Sequence, residues 1–270
     1  MTKNPKVIVL RTAGTNCDKE TAFAFEQGGA QCDLVHINQL FHKEVSLADY
    51  HIMALPGGFT YGDDIESGRI LANELRIRLG DAIRDFIQAK KLIIGICNGF
   101  QVLVKAGILP GELDEKQKDS YQFAQSVTLT HNDSGKFEDR WVYLKCGGHS
   151  VWTQGVKEIA YYPVAHAEGK FVTRDDKVLK ALHDNGQIAF RYVSAEGAPS
   201  DYPHNPNGSV DDIAGITDVS GRILGLMPHP ERHFFACHHP RWTREPNTEN
   251  KGDGARIFQN GVDYVKKELL

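Results

Sequence analysis

Three short stretches of this chain carry residues suited to chemistry. In Gly95-Ile96-Cys97-Asn98-Gly99 a cysteine stands between two glycines, each two residues away. The apolar run Leu92-Ile93-Ile94 precedes it, and Phe100, Val102, Leu103 and Val104 follow it before Gly107. That pattern predicts a buried strand, a sharp turn and a helix, with the thiol at the apex. The glycines remove Cβ atoms that would crowd such a turn. The first amides of the helix point toward Cys97 and favour negative charge there, so this thiol should be more thiolate than a free one. Cys97 is therefore a candidate nucleophile; the plainer alternative is a buried structural cysteine on a turn.

The second stretch is Met227-Pro228-His229-Pro230-Glu231-Arg232. The two prolines push the residues before them toward extended backbone, which places His229 and Glu231 on one side of the chain. A carboxylate there accepts from one imidazole nitrogen and leaves the other for proton transfer. An H-x-E pair alone is more often a surface pair, but beside Cys97 it completes a Cys97-His229-Glu231 triad. The third stretch is Pro56-Gly57-Gly58, after the apolar His51 to Leu55. Alone it is an ordinary tight turn. Beside a nucleophile, acyl chemistry needs amide donors aimed at the developing oxyanion, and the amides of Gly58 and Asn98 are the candidates. The arrangement is that of the G-x-S-x-G nucleophile elbow with sulfur in place of oxygen. Asp63 or Asp64 is given the plainer role of capping a helix expected over Ile65 to Leu79.

Elements that alternate along the first half must position these groups. Val7 to Leu10, Cys32 to Ile37, His51 to Leu55 and the run before Gly95 read as strands. Helices are expected over Lys19 to Gln27, which Asp18 could cap, and over Asp81 to Ala89. Alternation of this kind implies an α/β fold, with a mostly parallel central sheet covered by helices on both faces and sites at the carboxyl ends of its strands. In the second half, Val127 to Thr130, Trp141 to Leu144, Ala189 to Val193 and Ile223 to Met227 read as short strands. Some should extend the sheet and some form a small subsidiary one. Ala198 to Ser209 and Cys237 to Gly254 are turn-rich, and Phe258, Val262, Val265 and Leu269 mark a final helix packed on the core.

Composition narrows the partners. The 270 residues are 41% hydrophobic with a net charge of −4 and no dense basic cluster, which argues against a nucleic acid or an anionic membrane surface. No apolar run has the length of a membrane span, and the N-terminus lacks a signal-peptide layout, so a cytoplasmic location is expected. Five scattered cysteines indicate neither a disulfide framework nor a zinc knuckle. His233, His238 and His239 with Cys237 lack tetrahedral spacing and read as a solvated loop, with no metal expected.

The three motifs together, with Arg11 to Asp18, Lys136 to Val142, Ala165 to Gly169 and Asn205 to Gly215, resemble class I (triad-type) glutamine amidotransferases. More narrowly they resemble the glutaminase subunits of phosphoribosylformylglycinamidine synthase in purine biosynthesis, along nearly the whole chain. The resemblance implies a single flavodoxin-like amidotransferase domain over residues 1–270 that hydrolyses L-glutamine through a Cys97 thioester. It implies Gly57 and Gln101 as substrate contacts. It also implies a synthetase partner that takes the ammonia, carries ATP and magnesium and converts formylglycinamide ribonucleotide, with a small third subunit. No cofactor is expected on this chain, which lacks a G-x-x-x-x-G-K-[ST] phosphate loop. Cys17 is read as structural or interfacial. Alternatives are the glutaminase of another amidotransferase, a thiol hydrolase of the same fold, which would cleave peptides rather than release ammonia, and a regulatory module indifferent to loss of Cys97.

Overall fold

The computed structural model describes residues 4–112, 123–244 and 250–270. The first half alternates as expected: β1 (Lys6–Arg11), α1 (Asp18–Gln27), β2 (Gln31–His36), α2 (Ile37–Phe41), β3 (Ile52–Leu55), α3 (Arg69–Arg78), α4 (Gly80–Gln88), β4 (Leu92–Ile96) and α5 (Asn98–Lys105). Every residue of β3 and β4 is buried, because layers cover both faces of a parallel sheet. The second half contributes β5 (Val127–Thr130), β6 (Glu138–Cys146), β7 (Ile159–His166), β8 (Lys170–Thr173), α6 (Asp176–Asp184), β9 (Ile188–Val193), β10 (Ile213–Thr217), β11 (Ile223–Leu226) and α7 (Ala255–Glu268).

Nine strands form one sheet in the order β2-β1-β3-β4-β11-β10-β9-β6-β7, and β5 pairs with β8 in the small second sheet. The sheet is mixed. From β2 to β11 neighbours run parallel; from β11 through β10, β9 and β6 to β7 they run antiparallel. The parallel half places the carboxyl ends of β3, β4 and β11 side by side, which is where the three motifs emerge. The main chain of edge strand β7 accepts hydrogen bonds from the segment after β11: His229 N–H to the Pro163 carbonyl at 2.8 Å and His233 Nδ1–H to the Tyr161 carbonyl at 2.7 Å. An otherwise open edge is thereby closed by the chain that carries the histidine.

Two expected helix starts differ. Gly68 precedes α3 with φ 73°, a left-handed turn that stops any helix from beginning at Ile65, so neither Asp63 nor Asp64 caps it. Asp18 lies inside α1 rather than at its cap, and its buried carboxylate pairs with Arg11 at 2.5 Å. The final helix packs as expected, with Phe258 edge-on to Phe25 of α1 at 5.0 Å between centroids. Residues 245–249, within the turn-rich stretch, lie outside the described residues. Among the described residues no helix is long and apolar enough to cross a membrane.

Candidate active site

β4 ends at Ile96 and α5 begins at Asn98, so Cys97 alone makes the turn, with φ 51° and ψ −108°. A side chain held there stores strain on the order of 1–3 kcal/mol, maintained by its surroundings. The Cys97 N–H continues the ladder to the Leu226 carbonyl of β11 at 2.8 Å, and the Cys97 carbonyl accepts from Phe100 and Gln101 at 2.9 and 3.1 Å. The bracketing glycines are explained by close packing. A Cβ on Gly99 would lie 1.9 Å from the Leu55 carbonyl oxygen of β3, and one on Gly95 would lie 2.6 Å from the Gly99 carbonyl oxygen. The thiol is 5% exposed, with Sγ 3.6 Å from the Ala165 carbonyl at the end of β7.

His229 follows β11 in extended backbone, and its Nδ1–H donates to Glu231 Oε1 at 2.6 Å, with both side chains buried. The expected pairing is present, although Pro230–His233 forms a short 3-10 turn instead of a continued extended chain. Burial alone would lower the pKa of His229, but the Glu231 carboxylate, then Cys97, raise it well above the ordinary imidazole value. Its other nitrogen, Nε2, is buried and has no hydrogen-bond partner among the described residues. A group at that nitrogen can exchange protons without a competing acceptor. Cys97 and His229 converge on Gly57, where a Cβ would stand 2.8 Å from His229 Cε1 and 3.5 Å from Cys97 Cβ.

Gly58 has φ 144°, and a Cβ there would lie 2.7 Å from the Gly14 carbonyl oxygen, so glycine is required. It pairs with Thr15 in an antiparallel bridge made by Asn16 N–H to Gly57 O at 3.4 Å and Phe59 N–H to Gly14 O at 2.9 Å. In that pattern the amide of Gly58 itself faces away from residues 14–16. Asn98 opens α5, so its amide precedes the helix's own bonding. The Asn98 side chain is structural: its Oδ1 accepts from Thr60 N–H at 3.3 Å and its Nδ2 donates to Gln101 Oε1 at 2.9 Å. Gln101 in turn donates to the Glu168 carbonyl at 2.7 Å, and fixes the loop after β7.

That loop escaped sequence reasoning as a site element, although Ala165 to Gly169 was singled out as a motif. The wholly buried Lys105 side chain ties it down, with Nζ 2.7 Å from the Ser67 carbonyl, 3.4 Å from Glu66 and 3.6 Å from Glu168. Asp63 accepts from Ser67 Oγ at 2.9 Å in the same network, and its carboxyl pKa is raised, chiefly by burial. His166, also buried, lies near His229. Asn132 Oδ1 accepts from Gly169 N–H at 2.9 Å and lies 3.1 Å from His166 Nδ1, so Nδ1 carries the proton. Burial, then the charge of His229, pushes the His166 pKa down to about 3, and the ring is neutral.

His233 corrects an expectation. It is 3% exposed and bonded to β7, with Trp141 edge-on at 5.2 Å, because the chain after β11 must cover the β7 edge; it does not belong to a solvated loop. Among the described residues the group with metal-ligand geometry is instead Cys17, Glu20, His229 and Glu231, whose ligand atoms lie within 4.8 Å of one another. A cation already serves it: Arg232 donates to Cys17 Sγ at 3.1 Å and to Glu20 Oε1 at 2.8 Å. The guanidinium supplies positive charge to two of these four residues.

Known proteins resemble this chain in sequence and fold. The model of the CobB/CobQ-like glutamine amidotransferase domain matches residues 4–265. A curated relative from Dehalococcoides mccartyi, "Phosphoribosylformylglycinamidine synthase subunit PurQ", is 48% identical over 97% of this chain and 98% of its own length. One of the same name from Methanococcus maripaludis is 41% identical over 97% and 98%. A chain of the solved PurLQS structure from Thermotoga maritima superposes with a TM-score of 0.72 at 30% identity, covering 97% of this chain and all of its own. The crystal structure of another glutamine amidotransferase from Thermotoga maritima, at 14% identity and TM-score 0.55 over 98% of this chain and 99% of its own, shares the fold. With the family match running from before β1 into α7 and enclosing the Cys97 turn and the His229–Glu231 pair alike, this chain belongs to the CobB/CobQ-like glutamine amidotransferases.

Proposed function

We propose that this chain is the glutaminase subunit of a phosphoribosylformylglycinamidine synthase. The observation that carries the reading is the strained Cys97 turn meeting a buried His229–Glu231 pair, in a chain matched end to end by relatives of that name. The Cys97 thiolate, its proton already on His229 Nε2, attacks the side-chain carbonyl carbon of L-glutamine. The imidazolium, held by Glu231, returns that proton to the amide nitrogen, the C–N bond breaks and ammonia leaves. Water then attacks the glutamyl thioester, His229 takes its proton and returns it to sulfur, and glutamate is released. The amides of Gly58 and Asn98 stabilise the oxyanion in both tetrahedral intermediates, each contributing about 3 kcal/mol. Gly57 and Gln101 hold the substrate. The ammonia goes to a synthetase subunit, which binds ATP and magnesium and converts formylglycinamide ribonucleotide to formylglycinamidine ribonucleotide; a small third subunit joins the complex, in the cytoplasm.

The test uses the complex. Cys97→Ser is expected to abolish glutamine-dependent synthesis while synthesis from added ammonia continues, and a glutamine-analogue electrophile is expected to label Cys97 and no other residue. Glutamine-dependent synthesis at the original rate, or labelling elsewhere, overturns the assignment. The isolated chain is expected to turn glutamine over slowly until the synthetase joins it. Equal turnover alone and in complex would refute that coupling.

A further inference from the structure

The loop before α1 brings a second thiol to the histidine. Cys17 is 1% exposed, and its N–H donates to the Gly57 carbonyl at 3.2 Å, which ties its backbone to the Gly57–Gly58 turn. Its S–H donates to Asn16 Oδ1 at 3.1 Å, and its sulfur accepts from Arg232, which Glu20 anchors in turn. The absent Cβ of Gly57 marks a point 3.0 Å from Cys17 Sγ and 2.8 Å from His229 Cε1. The sulfur also lies within 4.8 Å of a ring nitrogen of His229. Burial raises the Cys17 pKa, against the opposing pull of the neighbouring His229. Sulfur suits this place because it fills space beside the ring as a soft apolar atom and hydrogen-bonds weakly.

Given the amidotransferase reading above, we propose that Cys17 is a positioning residue, whose buried thiol, held by Asn16 and Arg232, packs beside the His229 ring and fixes its orientation. Cys17→Ala leaves a gap beside the ring. It is expected to lower kcat for glutamine-dependent synthesis by about 10- to 100-fold, the scale seen when an outer-shell partner is removed, with the KM for glutamine unchanged. Cys17→Ser, which keeps both hydrogen bonds, is expected to recover most of kcat. Ammonia-dependent synthesis reports that the complex is intact throughout. Asn16→Ala, which keeps the sulfur and removes its acceptor, is expected to give the same split between kcat and KM at smaller size. Unchanged kcat in Cys17→Ala, or in Asn16→Ala should the former not fold, overturns the inference. So does a Cys17→Ser variant as slow as Cys17→Ala. Those results leave the amidotransferase reading standing as long as Cys97 is the labelled residue.

Discussion

Gly57→Ala isolates geometry from chemistry, because it adds one methyl group and removes no functional atom. The φ of Gly57 is not positive, so alanine is allowed by the backbone and the effect is one of space. The new Cβ would sit 2.8 Å from His229 Cε1 and 3.0 Å from Cys17 Sγ, where ordinary contact begins at 3.4 Å. The imidazole must therefore retreat by roughly 0.6 Å, or shift together with the sulfur, in a site packed on all sides. Overpacking of this kind costs about 1–3 kcal/mol of stability, which for a chain of this size lowers Tm by roughly 2–4 °C per kcal/mol. The catalytic loss is of similar size. A misplacement of about 1 Å costs roughly 100-fold, so kcat is expected to fall about 10- to 30-fold. The assay is glutamine-dependent against ammonia-dependent synthesis by the complex, with thermal unfolding of the same samples. Selective loss of the glutamine-dependent rate is expected. A wild-type kcat would refute the argument that the ring is held to a fraction of an ångström, and equal loss of both rates would show that assembly had failed.

Three further outcomes follow from the same geometry. Glu231→Gln keeps shape but removes the carboxylate that raises the His229 pKa; kcat is expected to fall by about 10²- to 10⁴-fold, with the histidine titrating lower in a pH–rate profile, and an unmoved profile would exclude Glu231 as the orienting group. Lys105→Met leaves the largely buried Glu168 carboxylate without its cation; a loss of about 3 kcal/mol in denaturant unfolding is expected, and a loss near zero would mean the ion pair contributes nothing. His166 binds its proton near pH 6.5 when unfolded and only at about pH 3 when folded, so the unfolded state holds more protons between these values. Stability therefore falls by about 1.4 kcal/mol per pH unit as pH drops through that window. His166→Asn, which keeps a donor toward Asn132, is expected to flatten the slope by up to one proton, and an identical slope would show that His166 does not titrate on unfolding.

The amino-acid sequence by itself determined the parts whose signal is local. Gly95 and Gly99 around Cys97, the paired glycines at Gly57, and the prolines around His229 act on a few backbone torsions each, so the Cys97 turn and the His229–Glu231 pair could be read in place. The apolar runs of β1, β3 and β4 were equally legible, because strands buried on both faces need no partner to announce them. Other local signals were present and unused: Asp175 caps α6, with Val178 and Leu182 four apart on its buried face. Only the tertiary structure decided the rest. Pro163 speaks against a strand, yet β7 lies at the sheet edge and its carbonyl there receives the His229 amide. Gln101 turned inward to the Glu168 loop, His233 was buried against β7, and Lys105 was enclosed by acidic residues distant in sequence. Cys17 lies 212 residues from His229 along the chain, and no spacing rule joins them. Contacts of that kind depend on which strand ends a nine-stranded sheet brings close together, and that order is written in no single stretch.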